Sequence, residues 1–142
     1  HLMRKRTQAR ECALQILYQS DIRKEPPEKL FLDFWRDNEV GAEVSDFASS
    51  LVLGTLKNMK KIDETITSYA SNWKLNRMAV IDRNVLRLAT YELLFCDDIP
   101  QKVSINEAVD LAKKFGDTES GKFVNGILDK ISKEEGKNGK AG

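Results

Sequence analysis

Ser104-Ile105-Asn106-Glu107-Ala108-Val109-Asp110-Leu111-Ala112-Lys113-Lys114-Phe115-Gly116 reads as one complete helix. Ile105, Ala108, Val109, Ala112 and Phe115 recur at the spacing that lines one face of a 3.6-residue helix. Ser104 and Glu107 have the form of a capping box, in which the serine hydroxyl accepts from the Glu107 amide and the Glu107 carboxylate accepts from the Ser104 amide. Gly116 is expected to stop the helix as a left-handed cap.

The same period extends in both directions. Upstream, the longest apolar pattern runs from Met78 to about Cys96 and ends at Asp97-Asp98-Ile99-Pro100. Before it, Ile62, Ile66, Tyr69, Ala70 and Trp73 form one stripe, out of phase with Val44, Phe47, Ala48, Leu51, Val52 and Thr55, so a break near Lys60-Lys61 separates two helices. Pro26-Pro27 opens a shorter segment with Leu30, Phe31, Phe34 and Trp35 on one face. The first helix carries Ala9, Ala13, Ile16 and Leu17, with Thr7 as its candidate N-cap. Downstream, Phe123, Val124, Ile127, Leu128 and Ile131 make the last stripe, and the polar tail from Lys133 to Gly142 is expected to fray. Nothing alternates with period two for long enough to make a strand. The expectation is an all-α fold, about seven helices in a single domain over 1–142. It is built of two small sub-bundles, 4–72 and 73–133, followed by a flexible tail at 134–142. Trp35, Tyr69 and Trp73 fit their stripes and are expected in the core.

Composition narrows the chemistry. The chain has 142 residues, 41% of them apolar and 32% charged, with only 8 Gly and 3 Pro, which suits a helical domain with a real core. No apolar run approaches the length of a membrane span, and no secretory signal is expected. Cys12 and Cys96 are the only cysteines and fall among apolar residues, so both are expected as small core residues in a reducing cytoplasm. The only histidine is His1, and His1-Leu2-Met3 reads as a cloning remnant ahead of a natural start at Met3. Histidine-based triads and zinc sites are then excluded. Carboxylate or lysine chemistry without a metal stays open, although an enzyme is the poorer expectation; no metal and no cofactor are expected.

Three features stand apart from the core pattern. Arg4, Lys5, Arg6 and Arg10 give the first ten residues a charge of +4, leaving −3 on the rest of a chain whose net charge is +1. A basic arm running into a helix is a common footprint for phosphate contact, although short basic termini are frequent. The junction Phe115-Gly116-Asp117-Thr118-Glu119-Ser120-Gly121-Lys122-Phe123 offers hydroxyls, a cation, two aromatics and helix-terminal amides. These groups suit phosphates and unpaired bases. The plainer reading puts both phenylalanines in the core and makes Thr118 or Ser120 a cap. Glu92 lies within the apolar arc of Ile81, Val85, Leu88 and Ala89, where a carboxylate must be paired. It is either a general acid or base, or, as favoured without a histidine, a structural carboxylate locking two helices. Arg83 and Arg87, with Thr90 and Leu94, occupy the opposite face, expected to be solvated or to meet a partner protein.

Three stretches together resemble the NusB family of bacterial transcription antitermination factors. They are Arg6 to Tyr18 (RTQARECALQILY), Asp82 to Leu93 (DRNVLRLATYEL), and Pro100 to Gly116 (PQKVSINEAVDLAKKFG) with Ser120 to Asp129 (SGKFVNGILD). The segment from about Ile22 to Lys74 matches by helical pattern more than by identity. The resemblance implies an all-helical fold of two sub-bundles and a function without catalysis. It implies binding of the boxA element of nascent single-stranded RNA, notably from ribosomal RNA operons. NusE, the small-subunit ribosomal protein, would bind alongside, and other Nus factors would join on RNA polymerase. Carried over by position, it places RNA contacts at Arg4, Lys5, Arg6, Arg10, Phe115, Glu119, Ser120, Lys122 and Phe123. Tyr18, Asp82 and Arg83 fall on the NusE face, while Glu92, Ser104, Glu107 and Gly116 are structural. Gly121 stands where many relatives carry a side chain.

Two other readings share the fold. One is a freestanding protein-interaction module. The other is an RNA-binding domain related to that of RNA cytosine methyltransferases, which the lack of a Gly-rich strand-to-helix loop makes the poorer match.

Overall fold

The computed structural model describes residues 2–135. Among them, seven α-helices and one 3₁₀ turn follow one another without a strand. The helices are α1 (Leu2–Arg23), α2 (Pro27–Asp37), α3 (Ala42–Lys57), α4 (Met59–Tyr69), α5 (Val80–Phe95), α6 (Gln101–Phe115) and α7 (Thr118–Glu134), with the turn at Leu75–Arg77. No described helix is long and apolar enough to cross a membrane. The tail expected to fray is helical through Glu134, and from residue 136 onward it lies outside the described residues, as does His1.

The chain divides into two compact units between Lys57 and Asn58. The border expected near Trp73 thus falls earlier, because α4 packs on α5 and α7 and belongs with the second unit. In the first unit, α1 packs against α3 and α2. Ala9, Ala13, Leu14, Ile16 and Leu17 are buried along α1, and Val44, Ala48, Leu51 and Val52 along α3. Each such leucine or isoleucine contributes about 1.5–3 kcal/mol relative to exposure. Thr7 is no cap, since α1 starts at Leu2 and carries Thr7 inside the helix. Pro27 does open α2, where a missing N–H costs nothing, and Leu30 and Phe34 face inward. Trp35 meets Phe34 edge to face at 5.0 Å and is only half-buried.

In the second unit α5 is the central helix, packed against α4, α6 and α7. Val85, Leu86, Leu88 and Leu93 are buried along it, and so is Thr90. The face expected to be solvated is therefore covered. Arg87 donates from Nε and one terminal nitrogen to both Asp63 oxygens, at 2.9 and 3.1 Å, tying α5 to α4. A fork of this kind on a carboxylate is the strong form of ion pair. Tyr69 is half-buried rather than core, its hydroxyl donating to Glu135 at 3.1 Å. Cys12 is buried as expected, and burial, with the Glu11 charge, pushes its thiol above the ordinary range. Cys96 is half-buried at the C-terminal end of α5.

Glu92 is 2% exposed, and its Oε1 accepts from the Ser104 hydroxyl at 2.8 Å. The capping box is accordingly overturned. Pro100 is the N-cap of α6, its carbonyl accepts from the amides of Val103 and Ser104, and Ser104 sits a turn inside. The buried face of α6 is Ser104, Ala108, Leu111 and Ala112, a phase shifted from the expected stripe, with Ile105 and Val109 left half-buried. Ser104 turns inward because a buried carboxylate there requires a donor. Ser104→Ala should lower unfolding stability by about 2 kcal/mol, the cost of stripping a hydrogen bond from a buried polar group. Urea denaturation measures it, and a loss below about 0.5 kcal/mol would place Glu92's support elsewhere.

Candidate nucleic-acid interface

The basic residues at the chain start are not a loose arm but the first turns of α1. Helical spacing puts Arg6 and Arg10 four residues apart on one face, and Glu43 and Phe47 four apart on α3. The two rows meet. The Arg6 guanidinium lies 4.5 Å from the Phe47 ring centroid and that of Arg10 lies 5.7 Å from it. Lys5 Nζ donates to Glu43 Oε2 at 3.0 Å, and this bond holds the Glu43 carboxyl below its usual range. Lys5, Arg6, Glu43, Asp46 and Phe47 wall an open cleft of about 520 Å³. Arg4 and Lys5 are exposed and Arg6 is half-buried. Arg10, expected on the RNA surface, is only 3% exposed, because its guanidinium is folded inward toward Phe47. Its place is behind the surface.

The second candidate joins α6 to α7. Gly116 ends α6 at φ −112°, ψ −113°, so the expected left-handed cap does not form. Glycine is needed for space instead: a Cβ here would stand 2.7 Å from Ser120 Oγ and 2.8 Å from the Ala112 carbonyl. Asp117, rather than Thr118 or Ser120, caps α7, its carboxylate accepting from the Ser120 amide at 2.8 Å. Gly121 is buried where the Lys113 side chain crosses α7, its would-be Cβ 2.8 Å from Lys113 Cγ. A larger residue there would displace that lysine.

Phe115 and Phe123 are both half-buried, between the core and surface roles considered for them. Lys114 Nζ lies 5.7 Å from the Phe115 ring centroid. Glu119 and Lys122 are exposed and pair with each other at 3.6 Å. Phe123 meets Trp73 edge to face at 5.5 Å, and Trp73, expected in the core, is 54% exposed. The helical stripe ends at Tyr69, since α4 stops there and Trp73 follows in the linker. Trp73, Asp82, Glu119, Ser120 and Phe123 line one cleft of about 410 Å³. Asp82 is 9% exposed, and its Oδ1 is buried without a hydrogen-bond partner. Thus Asp82, placed on the NusE face by resemblance, opens into the same cleft as the junction residues. Its neighbour Arg83 is half-buried and donates to the Leu75 carbonyl at 3.2 Å. Tyr18 is half-buried on α1, and Glu107 half-buried on α6.

Residues 7–133 match the family model described as the NusB family. The chain belongs to the NusB family. It is 50% identical over 129 residues to the transcription antitermination protein NusB of Anaeromyxobacter dehalogenans, covering 90% of each chain. Among solved structures, T. maritima NusB is 43% identical, covers 92% of each chain and superposes with a TM-score of 0.85. A crystal structure of antitermination factors NusB and NusE in complex with double-stranded RNA contains a chain that is 33% identical. That match has a TM-score of 0.86 and covers 92% of this chain and 98% of that one.

Sequence reasoning missed Glu43, Phe47 and Trp73 as site residues. Phe47 fits the apolar stripe of α3, although its i, i−4 neighbour Glu43 signals a mixed face. Trp73 carried a signal in its polar surroundings, Ser71-Asn72 and Lys74. Gly116→Ala should destabilise the fold by about 1–3 kcal/mol through overpacking against Ser120. Urea denaturation reads this, and an unchanged midpoint would show that the junction relaxes freely.

Proposed function

We propose that the protein is a non-catalytic RNA-binding adaptor of transcription antitermination, acting in the cytoplasm. It binds the boxA element of nascent transcripts, above all those of ribosomal RNA operons, together with NusE. With other Nus factors it assembles on RNA polymerase. The observation that carries this reading is the likeness, over nearly the whole chain, to a NusB solved with NusE and RNA.

The chemistry of the two surfaces supports it. Arg4, Lys5 and Arg6 supply charge for phosphates, which gives affinity without sequence information. Phe115, Glu119, Ser120, Lys122 and Phe123 supply stacking faces and hydrogen-bonding groups for unpaired bases. Arg10 contributes from behind, by holding Phe47. Tyr18, Asp82 and Arg83 are assigned to NusE. Glu92 carries no chemistry in this scheme, being sealed in the core with Ser104.

Fluorescence anisotropy with a labelled boxA RNA, a scrambled single strand and a duplex, with and without NusE, tests the proposal. Preferential boxA binding enhanced by NusE is expected. Equal binding to all three, indifferent to NusE, would overturn it and leave a helical domain with a generic basic arm, whose partners would then be sought among proteins. Replacing Arg4, Lys5 and Arg6 by Ala should weaken binding and flatten the dependence of log K on log salt by about 0.7 per lost phosphate contact. An unchanged slope would remove the arm from the phosphates. Phe123→Leu, with its fold checked by circular dichroism, should instead reduce the ratio of boxA to scrambled affinity.

A further inference from the structure

We propose that the exposed edge of α3 belongs to the RNA-binding apparatus. In this scheme Phe47 aligns the arginines of α1, and Glu43 holds Lys5 in the place that an RNA phosphate takes on binding. The inference rests on the proposed role of the arm and adds two residues to it. Neither touches RNA in this scheme, so both are positioning residues.

Phe47 is half-buried, with two guanidinium groups of α1 within 6 Å of its ring centre. An arginine stacked on an aromatic face is held through that face, while its N–H donors lie in the guanidinium plane, the edge that grips a phosphate bidentately. The ring therefore limits the rotamers of a long side chain without competing for the same chemistry. Arg10, buried at 3% exposure, takes the inner side of the arrangement and Arg6, half-buried, takes the outer. A flexible Arg6 would lose rotamer entropy on meeting RNA, and an aligned one has lost much of it already.

Glu43 acts on the neighbouring cation. Its side chain is 70% exposed and that of Lys5 48%, so the pair at 3.0 Å sits in solvent and is weak. A weak pair is easily exchanged. A phosphodiester oxygen offers Lys5 the same geometry as the carboxylate and the pull of adjacent phosphates besides. Until RNA arrives, Glu43 keeps Lys5 oriented and damps the positive field, so isolated anions gain little. Asp46 lies in the same cleft without a bond to Lys5, which provides an internal control for charge alone.

The test is a set of variants measured by anisotropy with a labelled boxA single strand at several salt concentrations. Glu43→Gln should tighten binding about threefold at low salt, the scale of an exposed ion pair, and the gain should fade as salt rises. Asp46→Asn should give a smaller gain. In a Lys5→Met background Glu43→Gln should give none, which a double-mutant cycle reads directly. Phe47→Leu should weaken binding about fivefold and flatten the salt slope by about 0.7, as one aligned phosphate contact is lost. Phe47→Tyr, which keeps the ring, should restore both affinity and slope, as a general packing role would not require. Wild-type affinity and slope in a folded Phe47→Leu variant would overturn the role of Phe47. A Glu43→Gln gain that persists without Lys5 would overturn that of Glu43. If the triple arm variant binds RNA as the wild type does, the arm reading itself fails and this inference with it. If the triple variant loses binding while Phe47→Leu does not, the inference alone fails.

Discussion

A carboxylate buried to 2% exposure sets the architecture of the second unit. Glu92 cannot be left unbonded in the core, because an uncompensated charge there costs more than a single domain can spare. Its partner, the Ser104 hydroxyl, comes from α6, so the register of α6 on α5 is specified by one polar contact as well as by shape. With Ser104 turned inward, Ala108, Leu111 and Ala112 follow onto the core face. Gly116 then passes close to Ser120, and Asp117 caps the next helix. The junction that faces solvent is thus placed by an interaction several turns away.

The two candidate surfaces share a design. Each sets a cation beside a carboxylate, Lys5 with Glu43 and Lys122 with Glu119, and each has a cation over an aromatic ring, Arg6 over Phe47 and Lys114 over Phe115. Ion pairs this exposed contribute little to stability. In the proposed role their effect is on the field: an RNA phosphate would meet cations that already have partners. With a net charge of only +1, the whole molecule has little general attraction for polyanions. The junction surface also has the cleft of Trp73, Asp82 and Phe123, which combines an exposed indole with a buried carboxylate oxygen that has no hydrogen-bond partner.

Helix number, order and approximate limits were legible because the 3.6-residue period is strong in nearly every segment, and proline or glycine punctuates several of the gaps. Leu30, Phe34, Val44, Leu51, Ile62, Ile66, Val85 and Val124 are buried where the pattern puts them. The family was legible too, in three motifs of ordered side chains. The errors cluster at positions with two plausible local explanations. Ser104 and Glu107 make a good capping box in isolation, and Gly116 a good left-handed cap, yet each is decided by a neighbour from another helix.

Periodicity reports which face of a helix is apolar, and composition reports what chemistry is present, since both are properties of the chain alone. Hence the all-α class, the basic arm, the aromatic junction and the need for Glu92 to be paired follow from residue order. What covers a face depends on the other helices. Arg87 and Thr90 look solvated on a lone α5, but α4 and its neighbours close over them, with Asp63 supplying Arg87's counter-charge. Arg10 looks like one more surface cation until α3 brings Phe47 against it, and Trp73 looks like core until α4 stops four residues short. Contacts between segments far apart in sequence leave no periodic trace, so packing alone could assign them.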